Sequence, residues 1–182
     1  MKRRFILLLA LGLLAGCQEA PELAKPAAIT LTAEAAGHYC QMTVLEHEGP
    51  KAQIHLSGNP FPFWFTQVRD AIAFMHSPEE PKDIAAIYVN DMDVAANWKE
   101  PGFDNWIDAE AAWFVVESKQ AGGMGAPETI PFGTEEGAKK FAAAQGGRVL
   151  RLHDIPTEYV LAPVELSSTP QLKQDAADEV VQ

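Results

Sequence analysis

The sequence is short of cysteine and of basic side chains, and each shortage excludes a class of function. Its 182 residues include two cysteines, Cys17 and Cys40. Two thiols cannot make the disulfide network of a small secreted scaffold, nor a four-cysteine zinc or iron–sulfur site. The 14 lysines and arginines are outnumbered by 25 aspartates and glutamates, which gives a formal net charge of −11. This excess of acid argues against a nucleic-acid partner, because binding phosphates requires a basic surface.

The sequence motifs of common enzyme classes are also missing. There is no glycine-rich phosphate loop and no Gly-x-Ser-x-Gly nucleophile elbow. Asp91 and Asp93 lack the spacing of a calcium-binding loop, and we expect them to lie on a solvated face. The five histidines form no His-x-x-x-His metal pair. We therefore expect a protein that is not an enzyme.

The N-terminus carries the pattern of an exported lipoprotein. Three basic residues (2–4) precede an apolar run over 5–15, which is too short to span a bilayer, where about 20 residues are needed. The run ends Leu-Ala-Gly-Cys at residues 14–17, which resembles a bacterial lipobox. We predict a signal peptide over 1–16, lipidation of Cys17 and a periplasmic protein held to a membrane by that lipid. Gln18 after the cysteine, rather than aspartate, favours the outer membrane.

The remaining chain divides into a linker, two similar halves and a tail. Residues 17–37, rich in Ala, Pro and Glu, are predicted to be a flexible tether, and residues 163–182 a mobile acidic tail. Residues 38–102 and 103–162 each show the order strand, strand, helix, strand. We therefore predict an α+β fold in which two small ββαβ halves pack together.

The elements of each half follow from periodicity and from turn residues. In the first half, alternation predicts strands over 39–46 and 52–56, and apolar spacings of three and four predict a helix over 65–75. A third strand is predicted over 84–90. In the second half, we predict strands over 112–117, 128–131 and 148–152. Thr134 is the predicted N-cap of a helix that ends at Gly146-Gly147.

Cys40 is the sharpest chemical question in the sequence. If Cys17 carries lipid on its sulfur, Cys40 is the one thiol of the mature protein, and an unpaired thiol in the oxidising periplasm needs an explanation. Cys40 and Met42 would share one face of the predicted strand. A thiolate and a thioether are soft donors, which select Cu(I) over hard cations. The alternative is a buried cysteine beside a buried methionine.

Three further side chains are candidates for the same site. Met124 lies in a Gly-Gly-Met-Gly loop, where a flexible backbone would let it swing toward a ligand. Alternatively, Met124 covers a patch of the core. His38 precedes Cys40 by two residues, and Met92 follows a predicted strand. Either of these two is a possible supplementary ligand.

The motifs taken together resemble those of the NosL family. They are the lipobox, Tyr-Cys-Gln-Met at 39–42, Gly-Gly-Met-Gly at 122–125, and Pro-Phe-Gly at 131–133 before a helix. The resemblance implies a periplasmic lipoprotein of two ββαβ halves that acts as a Cu(I) chaperone. It marks Cys40, Met42 and Met124 as the copper-binding sulfurs.

The resemblance also implies partners and a pathway. They are nitrous-oxide reductase, whose tetranuclear copper–sulfide centre receives the metal, and an ABC-type membrane maturation complex. Three other functions remain open from the residues alone. They are a copper store or sensor that keeps its metal, a thiol redox lipoprotein, and a structural lipoprotein in which Cys40 is inert.

Overall fold

The computed structural model describes residues 25–164, which form seven short strands and three helices. None of the helices among these residues is long and apolar enough to cross a membrane. The elements, in chain order, are β1 (Ala52–Leu56), β2 (Phe63–Phe65), α1 (Val68–His76), β3 (Ile84–Asn90), β4 (Trp106–Asp108), β5 (Trp113–Val116), β6 (Ile130–Phe132), α2 (Glu135–Gln145), β7 (Arg148–Leu150) and α3 (Thr157–Leu161).

Two ββαβ units repeat along the chain, as the sequence predicts. The first unit is β1-β2-α1-β3 and the second is β5-β6-α2-β7, and both sheets are antiparallel. Their strand orders correspond, because β1 lies between β2 and β3 while β5 lies between β6 and β7. The predicted α+β fold of two similar halves is confirmed.

The two halves share one apolar core. Phe114 and Val116 of β5 belong to the same buried cluster as Ile54 of β1 and Phe74 of α1, and all four are less than a tenth exposed. Burying apolar surface contributes roughly 25 cal/mol for each Å² removed from water. Neither small sheet would bury enough surface alone, and the shared core supplies the remainder.

The N-terminus of each long helix is contacted by a carboxyl group from the opposite half. Glu128, just before β6, accepts a hydrogen bond from the backbone N–H of Arg69 in the first turn of α1 (2.8 Å). Asp93, just after β3, accepts hydrogen bonds from the backbone N–H and the hydroxyl of Thr134, the N-cap of α2 (both 2.8 Å). Helix N-termini leave unpaired N–H groups, and a carboxyl oxygen can accept a hydrogen bond from them. Asp93 is exposed, as the sequence predicts, and it also joins the two halves.

The first half differs from the sequence prediction in its strands. Residues 39–46 form a loop and a short 3₁₀ helix (Val44–Glu46), and the hairpin partner of β1 is β2. The physical reason is Gln41, whose φ of 57° turns the chain out of the extended conformation. β4, which falls within the predicted second half, pairs with β3 and extends the first sheet.

The tether prediction also differs from the structure over residues 25–37. Leu31 and Ala35 are buried against Val44, and Leu31 N–H donates to the carbonyl of Phe103 (2.8 Å). Apolar side chains of this Ala-rich segment thus pack against the folded domain. The composition of the segment does not indicate this packing. The signal peptide, Cys17, the first part of the tether and the tail from residue 165 lie outside the described residues.

Candidate metal centre

The loop that carries Cys40 is closed by its own backbone. Gly37 N–H donates to the carbonyl of Met42 (2.9 Å), and Gln41 N–H donates to the carbonyl of Gly37 (2.8 Å). The Gln41 side-chain amide donates to the carbonyl of His38 (2.7 Å), which holds the left-handed turn in place. Cys40 and Met42 therefore lie on a compact, hydrogen-bonded loop rather than on one face of a strand.

The Cys40 thiol is packed between a glycine and a hydroxyl. A Cβ atom at Gly37 would lie 2.5 Å from Cys40 Sγ, so glycine is needed for the thiol to occupy this place. On its other side, Cys40 Sγ lies 3.7 Å from Oγ1 of Thr66, which is 2% exposed. Thr66 lies between β2 and α1, and these two elements fix its position.

Met124, which belongs to the second half, contacts the same Thr66 hydroxyl. It lies in the β5–β6 loop, and its Sδ accepts a hydrogen bond from Thr66 Oγ1 (3.4 Å). The two contacts with Thr66 limit the separation of Cys40 Sγ and Met124 Sδ to about 7 Å. The structure thus brings together two of the three predicted sulfur ligands, one from each half, across 84 positions of sequence.

The glycines before Met124 allow its loop to touch the first half. A Cβ at Gly122 would lie 2.0 Å from Nε2 of Gln67, and one at Gly123 would lie 2.3 Å from the backbone oxygen of Glu48. From the sequence, these glycines are expected to supply flexibility. The structure shows that both permit a close approach, against the side chain of Gln67 at Gly122 and against the backbone of Glu48 at Gly123.

Replacing Gly123 by alanine is expected to destabilise the protein by about 1–3 kcal/mol, the usual cost of overpacking. The added methyl group meets the backbone oxygen and nitrogen of Glu48, at 2.3 and 2.9 Å, which a rotamer change cannot relieve. The loop must move, and Met124 moves with it. Urea denaturation of the variant measures the loss of stability.

A suitable control is Gly58→Ala. Gly58 has a φ of +75°, and a Cβ added to it would have no atom within 4 Å, so alanine there adds strain without crowding. Its cost should stay near 1–2 kcal/mol. Contact between the halves at Gly123 would be disproved if Gly123→Ala had no effect on the denaturation midpoint.

The other predicted ligands occupy different surroundings. Met42 is 41% exposed on the Cys40 loop, and no hydrogen bond among residues 25–164 reaches its sulfur. The His38 ring stacks on Phe63 (centroids 4.6 Å apart), and its Nε2 lies 4.0 Å from a carboxylate oxygen of Glu80. Met92 packs against the apolar cluster of the second half. Met42 is therefore largely exposed on the same loop as Cys40, whereas Met92 packs against the second-half core.

A buried lysine holds the backbone around the site. The sequence does not indicate this role, because the lysine follows a turn. Lys51 is 1% exposed, and its ammonium donates to the carbonyls of Glu48 (3.0 Å), Gly49 (2.7 Å) and Thr66 (3.4 Å). Burial lowers the pKa of Lys51 to about 8. Through these hydrogen bonds Lys51 connects Glu48, which lies against Gly123, to Thr66, which contacts both sulfurs.

Glu128 is the buried acid of the same region. It is 1% exposed, and one carboxyl oxygen accepts the backbone N–H groups of Arg69 and Thr129 (both 2.8 Å). Burial raises the pKa of Glu128 to about 8, although these hydrogen bonds oppose the shift. Its position four residues after Met124 links the loop of the candidate site to the N-terminus of α1.

The donor set at the site is soft. Within residues 25–164, no three His, Cys, Asp or Glu side chains group together in a way that would hold a metal ion. The side chains that converge from the two halves are instead a thiol and a thioether. Such sulfur donors suit a soft ion such as Cu(I) and bind hard cations poorly.

The fold and the site together define a class of protein in which two interlocked ββαβ halves bring sulfur side chains together at their junction. The family model of NosL matches residues 28–160, and the chain belongs to the NosL family.

Named relatives agree with this assignment. The chain is 51% identical to the copper-binding lipoprotein NosL of Achromobacter cycloclastes, over 92% of this chain and 88% of that protein. It is 34% identical to the copper-binding lipoprotein NosL of Stutzerimonas stutzeri, over 81% and 76% of the two chains. The crystal structure of the copper chaperone NosL from Shewanella denitrificans superimposes with a TM-score of 0.66 at 30% identity, covering 72% of this chain and 96% of that one.

Proposed function

We propose that this protein is a periplasmic, lipid-anchored Cu(I) metallochaperone that delivers copper for assembly of the copper–sulfide centre of nitrous-oxide reductase. The observation that carries the proposal is the meeting of Cys40 Sγ and Met124 Sδ at the Thr66 hydroxyl. Relatives that share up to 51% of the sequence are named copper-binding, and a structural neighbour is named a copper chaperone. The copper ion is cargo in this function, so the protein acts by binding and transfer rather than as an enzyme.

The ligand chemistry suits transfer. Cys40 binds as a thiolate, and Met42 and Met124 bind as neutral thioethers. The single negative charge of the thiolate therefore neutralises the single positive charge of Cu(I). Because the thiol must lose its proton, binding weakens as the pH falls. A site of few sulfur ligands leaves room for a ligand from the receiving protein, and copper then passes through shared coordination.

The surface around the loop suits a transient partner. Tyr39 and Leu45, on either side of the candidate ligands, are each 46% exposed, and Met42 and Met124 are 41% and 37% exposed. Exposed apolar side chains beside a binding site are typical of docking surfaces. We infer that the receiving surface covers these side chains while copper moves, and that the partners are nitrous-oxide reductase and its ABC-type membrane maturation complex.

Anchoring follows from the lipobox at the N-terminus. Lipid on Cys17 would hold the protein at a membrane facing the periplasm, and Gln18 favours the outer membrane. The relatives from Achromobacter cycloclastes and Stutzerimonas stutzeri are both named lipoproteins. Mass spectrometry of the protein extracted from membranes would show a mature chain that begins at Cys17 with acyl groups attached.

The deciding experiment is a transfer assay without oxygen. Protein loaded with ⁶⁵Cu(I) is mixed with apo-nitrous-oxide reductase and membranes containing the maturation complex, beside a control that contains free Cu(I) and a chelator. We expect ⁶⁵Cu to enter the reductase and the absorption of its copper–sulfide centre to appear. The loaded protein should support this assembly better than the chelated metal does.

Other results identify the alternative functions. Tight Cu(I) binding with no transfer to the reductase would identify a store or sensor. Absence of Cu(I) binding, together with a reducible Cys40 dimer from the periplasm, would identify a thiol redox lipoprotein.

A further inference from the structure

The Thr66 hydroxyl touches sulfur atoms of both halves. Oγ1 lies 3.7 Å from Cys40 Sγ and 3.4 Å from Met124 Sδ. The residue is 2% exposed, and its backbone carbonyl accepts a hydrogen bond from the Lys51 ammonium (3.4 Å). Its methyl carbon packs toward Gly37, 3.2 Å from where a Cβ of that residue would lie. The hydroxyl is thus held in a fixed place between the two sulfurs.

The direction of the hydrogen bonds follows from counting protons. A hydroxyl has one hydrogen and two lone pairs. A thioether sulfur can only accept, so when Thr66 donates its one hydrogen to Met124 Sδ, the Cys40 thiol is left to donate to Thr66 Oγ1. A thiol that binds a metal loses its proton and changes from a donor to an acceptor. The Thr66 hydrogen can then turn to the thiolate, because a hydroxyl rotates freely to suit its partners.

We propose that Thr66 is a positioning residue of the copper site. It holds Cys40 and Met124 together in the metal-free protein, and it transfers its hydrogen bond from Met124 Sδ to the Cys40 thiolate when Cu(I) binds. The turn releases the lone pair of Met124 that accepted the hydrogen bond, and this lone pair becomes available to the metal. The Cys40 proton passes to solvent, whereas the Thr66 hydroxyl keeps its proton throughout. This inference rests on the proposed copper-binding function and deepens it.

Two pairs of variants isolate the hydroxyl. Thr66→Val removes it and keeps the branched shape, whereas Thr66→Ser keeps it and loses the methyl group. Thr66→Ala and Thr66→Ser differ from one another by the hydroxyl alone. We expect Val and Ala to lower Cu(I) affinity by about 10–100-fold, as the loss of a residue that supports metal ligands does, and Ser to stay close to wild type. A packing role predicts the reverse order for Val and Ser.

Thr129 provides a matched control. It is fully buried in the second half, and its hydroxyl has no hydrogen-bond partner among the described residues. Thr129→Val removes the same group from an equally buried threonine, and Cu(I) affinity should not change.

The measurement is anaerobic competition with a chromophoric Cu(I) chelator, with the number of copper–sulfur bonds read from X-ray absorption. Fewer sulfur neighbours in Thr66→Val than in Thr66→Ser would show that the hydroxyl positions the ligands. If the wild type binds Cu(I) and Cys40→Ala does not, while Thr66→Val and Thr66→Ala bind as the wild type does, the positioning role is overturned and the copper function stands. If the wild type does not bind Cu(I), the proposed function itself fails.

Discussion

Replacing Cys40 by alanine is expected to lower the affinity for Cu(I) by more than about 100-fold, since losing a ligand costs more than losing a residue that supports one. In the proposed function, Cys40 is the one sulfur of the candidate centre that would bind the metal as an anion. Two neutral thioethers, Met42 and Met124, leave the charge of the ion uncompensated and bind it weakly. Competition with a chromophoric chelator under anaerobic conditions measures the change.

Methionine variants serve as controls for this result. Met42→Leu and Met124→Leu keep the apolar volume and remove a neutral donor, so each should weaken binding less than Cys40→Ala does. Met92→Leu should leave affinity unchanged, because Met92 packs against the second-half core. Equal affinities of wild type and Cys40→Ala would remove the thiolate from the site and end the chaperone hypothesis.

Replacing Glu128 by alanine is expected to destabilise the fold by about 2–5 kcal/mol. The loss has two causes, because buried N–H groups lose their hydrogen-bond partner and a cavity is left behind. The carboxyl group is buried and accepts the backbone N–H groups of Arg69 and Thr129. Alanine accepts neither, and it leaves the first turn of α1 without its cap. Urea denaturation near pH 6 gives the free energy of unfolding.

The conservative variant Glu128→Gln separates the hydrogen bonds from the charge. The pKa of Glu128 is about 8 in the folded protein against an ordinary value of 4.5, so the folded state binds more protons between these values. Stability contributed by this group therefore falls as pH rises through that window, with a slope of at most about 1.4 kcal/mol per pH unit. Glutamine keeps an acceptor oxygen and does not titrate.

The stability difference between wild type and Glu128→Gln isolates this group from other titrating residues. The difference should shift in favour of the variant as pH rises from 5 to 8, as followed by urea denaturation at each pH. A difference that is constant over this range would mean that Glu128 is ionised in the folded protein at all of these pH values.

The elements that the sequence predicts well are those with a strong local signal. α2 begins after Thr134, whose side chain accepts the N–H of Gly137, and it ends at Gly146 with a φ of 74°. β3 occupies the predicted residues 84–90 because a continuous apolar run meets few competing signals. The ββαβ repeat emerged from such elements even though the two halves differ in their residues.

The Cys40 loop could not be predicted because contacts with β2 add to the hydrogen bonds within the loop. The alternation over 39–46 is that of a strand, but Gly37 forms a bridge with Trp64, and His38 N–H donates to the carbonyl of Trp64 (2.7 Å). These contacts fix the loop on the edge of β2. The prediction that Cys40 and Met42 share a strand face is therefore wrong, although both remain in one loop.

The supporting residues of the site had no signature of their own. Thr66 follows an aromatic strand, and Lys51 follows a Gly-Pro turn, where a lysine is ordinarily solvated. Their roles depend on pairs far apart in sequence, such as Thr66 with Met124 and Lys51 with Thr66. The ligand types were visible in the sequence, whereas the hydroxyl that brings two of them together required the fold.

Glu128 and Asp93 each contact the N-terminus of a helix in the opposite half. The two repeats therefore depend on each other, whereas the units of an internal repeat are often independent. We expect neither ββαβ unit to be stable alone, because loss of the second removes Glu128 from the first turn of α1, and loss of the first removes Asp93 from the N-cap residue of α2. The polypeptide should therefore melt in one cooperative transition rather than in two steps. A metal held across the junction would then act as a cross-link that stabilises the folded protein, and its release to a partner would remove that added stability.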